Sequence, residues 1–172
     1  MGDVPEQYHH TPGSSHTHPA STHVGWREWV ALPTAPVPWI KAKVDTGAKT
    51  SSLHAFDLRT VDRDGHDWVR FTIHPWQATP EDEVTLELPV HDRRSIRSSS
   101  GHEEDRIVVQ MPISLVGREI LAEITLTDRD EMGFRMLIGR EALAQGFLVD
   151  PAASYLGGRP PREVRRRNWG RG

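Results

Sequence analysis

Apolar and polar residues alternate with a period of two through the middle of the chain. Val69, Phe71 and Ile73 do so within Trp68 to His74, and Val84, Leu86, Leu88 and Val90 do so next. Ile107, Val109 and Met111 repeat the pattern, as do Ile120, Ala122, Ile124 and Leu126, while Val37 to Val44 reads as extended around Trp39 and Ile40. This period sends successive side chains to opposite faces, so each run predicts a strand with one face in a core and one in water. Asp64-Gly65 and Val116-Gly117 fall between such runs and predict hairpin turns. Only Arg140 to Gln145 reads as helical, with Gly146 as its stop. Several short strands and one late helix predict an all-β domain, closed or sandwich-like.

The pattern fails at both ends. Residues 1–22 are Pro, Gly, Ser, Thr and His with almost nothing to bury, which predicts a disordered His-rich tail. His9, His10, His16 and His18, with His23 just beyond, would suit a metal tract, but no carboxylate or spacing organises a site there. Residues 158–172 hold six arginines and two prolines and are expected to form an Arg-rich flexible tail. An acidic partner such as RNA would suit it, yet Trp169 is its one interleaved aromatic. The globular domain is expected over residues 23–157.

Composition narrows the function classes. The 172 residues suffice for one domain with a modest core. There is no cysteine, which excludes disulfides, Cys-ligated zinc and a thiol nucleophile. The N-terminus has no apolar segment of the kind a secretory signal carries, and no run approaches the roughly 18 apolar residues of a membrane span. A cytoplasmic protein without membrane contact is the expectation. The formal net charge of −3 names no partner class.

Candidate chemistry begins at Val44-Asp45-Thr46-Gly47-Ala48, where a hydrophobic run delivers one carboxylate followed by a hydroxyl and a glycine. Such a segment can hold an aspartate at the tip of a tight turn, or use it only for an Asx hydrogen bond. Gly47, with no Cβ, permits the turn and leaves room for close approach. A second apolar run, Met136-Leu137-Ile138-Gly139-Arg140-Glu141-Ala142-Leu143, also ends a strand at a glycine, a faint internal repeat.

These paired motifs resemble the retropepsins, the homodimeric aspartic peptidases typified by retroviral proteases. A closer likeness covers roughly residues 24–157. The strings Val24-Gly25-Trp26-Arg27-Glu28, Lys41 to Ala48, and Thr127-Asp128-Arg129-Asp130 through Phe134 to Leu137 look like one bacterial branch, commonly labelled ATP-dependent zinc protease. Some members of that branch accompany glutamate ligases that add glutamate tails to a ribosomal protein. The resemblance implies a retropepsin-like barrel or sandwich and, beyond that, a peptidase trimming glutamate-rich tails, with a glutamylated ribosomal protein as a target. The label itself finds no support in the residues. No His-Glu-x-x-His is present, and His54, His66, His74 and His91 are scattered. No phosphate-cradling glycine loop ending in Lys-Ser/Thr is present either. No metal and no cofactor is expected.

The resemblance implies a catalytic set of Asp45, Thr46 and Gly47, with one Asp45 from each of two subunits and Thr46 bracing the paired turns across the interface. Two departures stand out. Retropepsins usually carry an acid just after the Asp-Thr-Gly-Ala turn that pairs with the late arginine, and here Lys49, Thr50, Ser51 and Ser52 follow instead. Arg140 is therefore expected to pair with Asp57 or a C-terminal carboxylate. The chain between the two motifs is also longer than in viral enzymes. The best flap candidate is His91 to Arg106, rich in Ser and charge, with a turn at Ser100-Gly101 and with Arg93, Arg94, Arg97 and Arg106. Arginine forks suit carboxylates. Lys43, Ala48, Lys49, Arg93, Arg94, Arg97, Arg129 and Arg135 are the substrate-binding candidates for an acidic peptide, although Glu103, Glu104 and Asp105 offset the charge. Two alternatives stay open: a non-catalytic module of the same fold that holds acidic tails, and a monomer in which Asp128 or Asp130 partners Asp45.

Overall fold

The computed structural model describes residues 20–97, 100–128 and 133–169. Twelve strands and two helices follow in the order β1 (Thr22–Val24), β2 (Arg27–Leu32), β3 (Val37–Val44), β4 (Ser51–His54), β5 (Phe56–Arg63), β6 (His66–Ile73), β7 (Val84–Pro89), β8 (Asp92–Arg97), β9 (Glu103–Leu115), β10 (Arg118–Thr127), β11 (Met136–Ile138), α1 (Arg140–Leu143), β12 (Phe147–Val149) and α2 (Arg162–Trp169).

Six strands close on themselves. The order β10-β4-β11-β3-β2-β9 returns to β10 through the β9–β10 hairpin, so the ring has no free edge. The barrel is filled by apolar side chains from these strands, among them Ile40, Leu53, Met111, Ile113, Leu115, Ile124, Met136 and Ile138, each at most 1% exposed. β9 is long enough for two tasks. Its second half pairs with β10 and β2, while its first half runs outside the ring and pairs with β8. Strands β5, β6 and β7 form a separate antiparallel sheet. Val69, Phe71 and Ile73 of β6 join the common core, and Leu58, Val84, Leu86 and Leu88 pack against it.

The expected hairpin turns are present at Asp64-Gly65 and Val116-Gly117, where both residues of each pair take positive φ. That is the geometry of a two-residue turn matched to strand twist, and Val116 accepts it despite its β-branch. Among the described residues no helix is long and apolar enough to cross a membrane.

Two features near the chain ends had no counterpart in the sequence reading. Part of the arginine-rich end, expected to be flexible, forms α2. Pro160 and Pro161 precede it, Glu163 sits in its first turn and Arg166 and Arg167 in its last, an order that suits the helix dipole. Asn168 is fully buried on this helix and donates to the Val164 carbonyl at 3.0 Å. The second feature is Glu28, also 0% exposed. Its Oε2 accepts the Gly25 and Leu156 amides at 2.8 and 3.1 Å, and its Oε1 accepts the Gly157 amide at 3.0 Å. A buried carboxylate is tolerable when its lone pairs are met by hydrogen bonds. Glu28 thereby ties the entry to β2 to the segment after β12. Gly25 touches that same segment, since a Cβ there would stand 2.3 Å from the Ala153 carbonyl oxygen.

Candidate active site

The two glycine-ended strands of the sequence lie side by side. β3 and β11 pair in parallel with Val44 in register with Ile138, and the Asp45 amide donates to the Ile138 carbonyl at 2.9 Å. The faint repeat is therefore one site seen twice along the chain. Asp45 is half-buried at the tip, while Thr46 and Gly47 are exposed. Asp45 Oδ1 accepts the Gly47 amide at 2.9 Å, and the Ala48 amide reaches the Asp45 carbonyl at 3.3 Å. The Asx bond is thus real, and it occupies one carboxylate oxygen. The other has no hydrogen-bond partner among the described residues.

The start of α1 braces this turn from behind. A Cβ on Gly139 would fall 2.6 Å from the Thr50 carbonyl carbon, so only glycine lets the strand end approach so closely. The Gly139 amide donates to Ser51 Oγ at 3.0 Å, and the Arg140 and Glu141 amides donate to the Ala48 and Lys49 carbonyls at 2.7 and 3.1 Å. First-turn amides of a helix need outside acceptors, and the loop after Asp45 supplies them. Arg140 corrects the expectation of an acidic partner. Its Nη1 donates to the Thr46 carbonyl at 3.2 Å. Seating α1 on residues 48–49 brings the guanidinium over the Asp45 turn, where a backbone oxygen takes the place of the missing acid.

The flap candidate is a hairpin. β8 and β9 pair from Asp92–Val108 to Arg97–Glu103, and the segment projects beyond the barrel. Between it and the Asp45 loop lies a groove of about 530 Å³. Ala48, Lys49 and Thr50 form one side, Arg94, Ile96, Arg97 and Arg106 the other. Leu137, Ser52 and Thr125, register neighbours on β11, β4 and β10, form the floor.

Only some of the expected substrate-binding residues gather here. Ala48, Lys49, Arg94 and Arg97 line the groove. Lys43 is exposed on β3 in register with Leu137. Arg93 does not line the groove, and its Nη2 lies 3.4 Å from Asp67 instead. Arg135 Nη2 donates to the Trp76 and Gln77 carbonyls at 3.4 and 3.3 Å, away from the groove. Arg129 and Asp130, like His9, His10, His16 and His18, lie outside the described residues.

The cations are not bare. Lys49 stands 3.8 Å from Glu141, Arg97 3.6 Å from Glu103 and Arg106 3.3 Å from Glu104. Arg94 is the hub. Its Nε donates to Asp92 at 2.8 Å, its Nη2 to Glu123 at 2.9 Å and its Nη1 to Thr50 Oγ1 at 3.4 Å. These hydrogen bonds raise the Arg94 pKa, with Glu123 the larger cause and Asp92 next. Glu123 and Asp92 are both held below their ordinary range, chiefly by the hydrogen bond from Arg94. Arg94 therefore anchors the hairpin to the barrel and to the loop after Asp45. Two of the four scattered histidines pair with carboxylates: His74 with Glu83 at 2.6 Å and His91 with Glu123 at 3.0 Å. Among the described residues no group of three His, Asp or Glu is placed to hold a metal ion.

Sequence reasoning missed Thr50, Ser51, Glu123 and Leu137 as parts of this site. Three of these four are common polar residue types whose role exists only through strands distant in sequence. Leu137 did stand in the second motif and could have been read as a wall of the cleft.

A closed all-β barrel that sets one Asp-Thr-Gly turn against a Leu-Ile-Gly strand end is a retropepsin-like domain. The chain belongs to the RimB-like family, whose model, described as "Retropepsin-like aspartic endopeptidase RimB", matches residues 23–160. It is 48% identical over 132 residues to a probable alpha-L-glutamate ligase of Shewanella pealeana, covering 77% of this chain and 29% of that protein. It is 46% identical over 129 residues to a probable alpha-L-glutamate ligase of Desulfotalea psychrophila, covering 75% of this chain and 28% of that protein. The chain thus spans less than a third of the length of the curated relatives it matches. Among solved structures it is similar to Lpg0085, a protein with unknown function from Legionella pneumophila, with a TM-score of 0.68 and 27% identity over 79% of this chain and 98% of that one.

Proposed function

We propose that this chain is an aspartic peptidase that works as a homodimer and hydrolyses peptide bonds in acidic, glutamate-rich protein tails, a glutamylated ribosomal protein among them. The observation that carries this reading is the Asp45-Thr46-Gly47 turn, with one carboxylate oxygen open among the described residues, leading directly into Ala48 and Lys49 of a groove walled by Lys49, Arg94, Arg97 and Arg106. The family match supports aspartic chemistry. The glutamate ligases in which a similar segment occurs support the substrate, because a hydrolase beside such a ligase removes what the ligase adds.

One turn is half a site. Two copies of Asp45 facing each other roughly 3 Å apart cannot both ionise cheaply, so the pair holds one proton between them. The ionised member takes a proton from a bound water, which attacks the peptide carbonyl, and the protonated member gives its proton to the developing oxyanion. Thr46 is free to brace the partner's turn. Arg140, through the Thr46 carbonyl, keeps each turn in shape for that contact. The apparent pKa values of such a dyad belong to the pair.

The test is mass spectrometry of a glutamate-tailed peptide incubated with the wild type and with Asp45→Asn, across acid to neutral pH. Shortening of the glutamate tail by the wild type, absent with Asp45→Asn, is expected. Cleavage that survives Asp45→Asn and stops with a chelator would put the chemistry elsewhere. Binding without cleavage by the wild type would leave a non-catalytic module. Sedimentation of the active sample should show a dimer, and an active monomer would refute the two-subunit site.

A further inference from the structure

Arg106 differs from the other cations of the groove in how it is held. It lies directly opposite Arg94 across the β8–β9 hairpin. The period of two puts Arg94, Ile96, Glu104 and Arg106 on one face, and of these Arg94, Ile96 and Arg106 line the groove. Like charges directly opposed across strands repel. Arg94 answers this with two carboxylates, Asp92 and Glu123. Among the described residues Arg106 has only Glu104, through a single 3.3 Å contact from Nη2. The Arg106 side chain is 13% exposed, and its Nε is buried with no hydrogen-bond partner among the described residues. A guanidinium largely shielded from water and held by one ion pair keeps terminal donors to spare for a second carboxylate. By contrast, Arg97 and Glu103 are 74% and 65% exposed, an ion pair that solvent screens.

We propose that Arg106 is the specificity-determining residue that reads substrate carboxylates in the groove, and that Glu104 occupies it until substrate arrives. This rests on the acidic-peptide reading of the same groove. A glutamate side chain entering beside Ile96 and Leu137 would lay its methylenes on those apolar groups. Its carboxylate would then accept from the two terminal nitrogens of Arg106, the parallel two-bond geometry that arginine offers and lysine does not. Glu104, 39% exposed, can swing into water as it is displaced. The hairpin thus carries its own carboxylate in the position that the substrate's carboxylate takes.

The test uses the full chain with Asp45→Asn, so that binding is read without turnover, and fluorescein-labelled hexaglutamate and hexaglutamine as probes in fluorescence anisotropy. Arg106→Gln should weaken hexaglutamate binding about tenfold or more, the scale of a lost charged hydrogen bond. Arg106→Lys, which keeps the charge and the packing stem, should weaken it by several-fold, and Glu104→Gln should tighten it by several-fold. Hexaglutamine binding should not change with any of them. In the active protein the same substitutions should move KM and leave kcat nearly constant. Hexaglutamate binding that is unchanged by Arg106→Gln, or weakened equally for hexaglutamine, overturns the assignment. If the Asp45→Asn chain binds hexaglutamate with this Arg106 dependence and the wild type never cleaves it, the peptidase reading fails and the present one stands. If the wild type cleaves and Arg106→Gln leaves KM unchanged, the present one fails alone.

Discussion

Glu28→Gln is the substitution whose cost follows most directly from the geometry. It replaces one oxygen of a fully buried carboxylate by an amide nitrogen and keeps the shape. In the wild type the two oxygens accept three backbone amides, from Gly25, Leu156 and Gly157. The glutamine oxygen can keep the Gly25 and Leu156 bonds, but each drops from charge-assisted to neutral, a loss of about 1 kcal/mol apiece. The new NH₂ group then faces the Gly157 amide, donor against donor, which leaves a buried N–H unsatisfied at about 1–3 kcal/mol. Removing a buried charge returns part of this, because the carboxylate no longer has to be desolvated. The net expectation is a destabilisation of about 2–4 kcal/mol, a large share of the roughly 5–15 kcal/mol that a domain commands. In urea unfolding the midpoint should fall by about 1–2 M for a slope near 2 kcal/mol per M. Hydrogen exchange should show Gly25, Leu156 and Gly157 amides losing protection before the barrel does. An unchanged midpoint, with those three amides as protected as before, would falsify the reading of Glu28 as the pin between the entry to β2 and the C-terminal segment.

Other tests bear on the site itself. Gly139→Ala places a methyl 2.6 Å from the Thr50 carbonyl carbon, so β11 must shift off the Asp45 loop; about 1–3 kcal/mol of stability and most peptide cleavage should go, whereas Gly133→Ala, which meets nothing within 4 Å, should stay within about 0.5 kcal/mol of wild type. The Arg94 hub makes the hairpin pH-dependent. Glu123 and Asp92 have lowered pKa values in the folded chain, so their contribution is present at neutral pH and is lost as pH falls through those lowered values. Hydrogen-exchange protection of β8 and β9 should therefore fall below about pH 4, and Glu123→Gln should remove most of that dependence. A protection profile of the hairpin that is flat with pH would show that Arg94 does not anchor it.

Much of the fold was legible because half-buried strands alternate. β6, β7, β9 and β10 each carry one face into the core, and their sequences say so. The two hairpin turns were legible for an equally local reason, since Gly65 and Gly117 supply positive φ. β4 was not legible: all four of its residues, Ser51 to His54, are buried, so it has no alternation to read. The helix within residues 158–172 was hidden because composition reports only the arginines, whereas Asn168 turns inward and is buried.

The candidate site divides in the same way. The sequence alone determined that Asp45 stands in a turn permitted by Gly47, and that a second strand would end at Gly139. It also supplied the cations. Only the tertiary structure decided that these two strands are neighbours, that Arg140 takes a backbone oxygen in place of an acid, and that Arg93 and Arg135 leave the groove while Arg106 joins it. The physical reason is that turn geometry and side-chain alternation are properties of adjacent residues. Which guanidinium meets which oxygen depends on strand register and barrel closure, set by packing between segments up to 129 residues apart, as from Glu28 to Gly157.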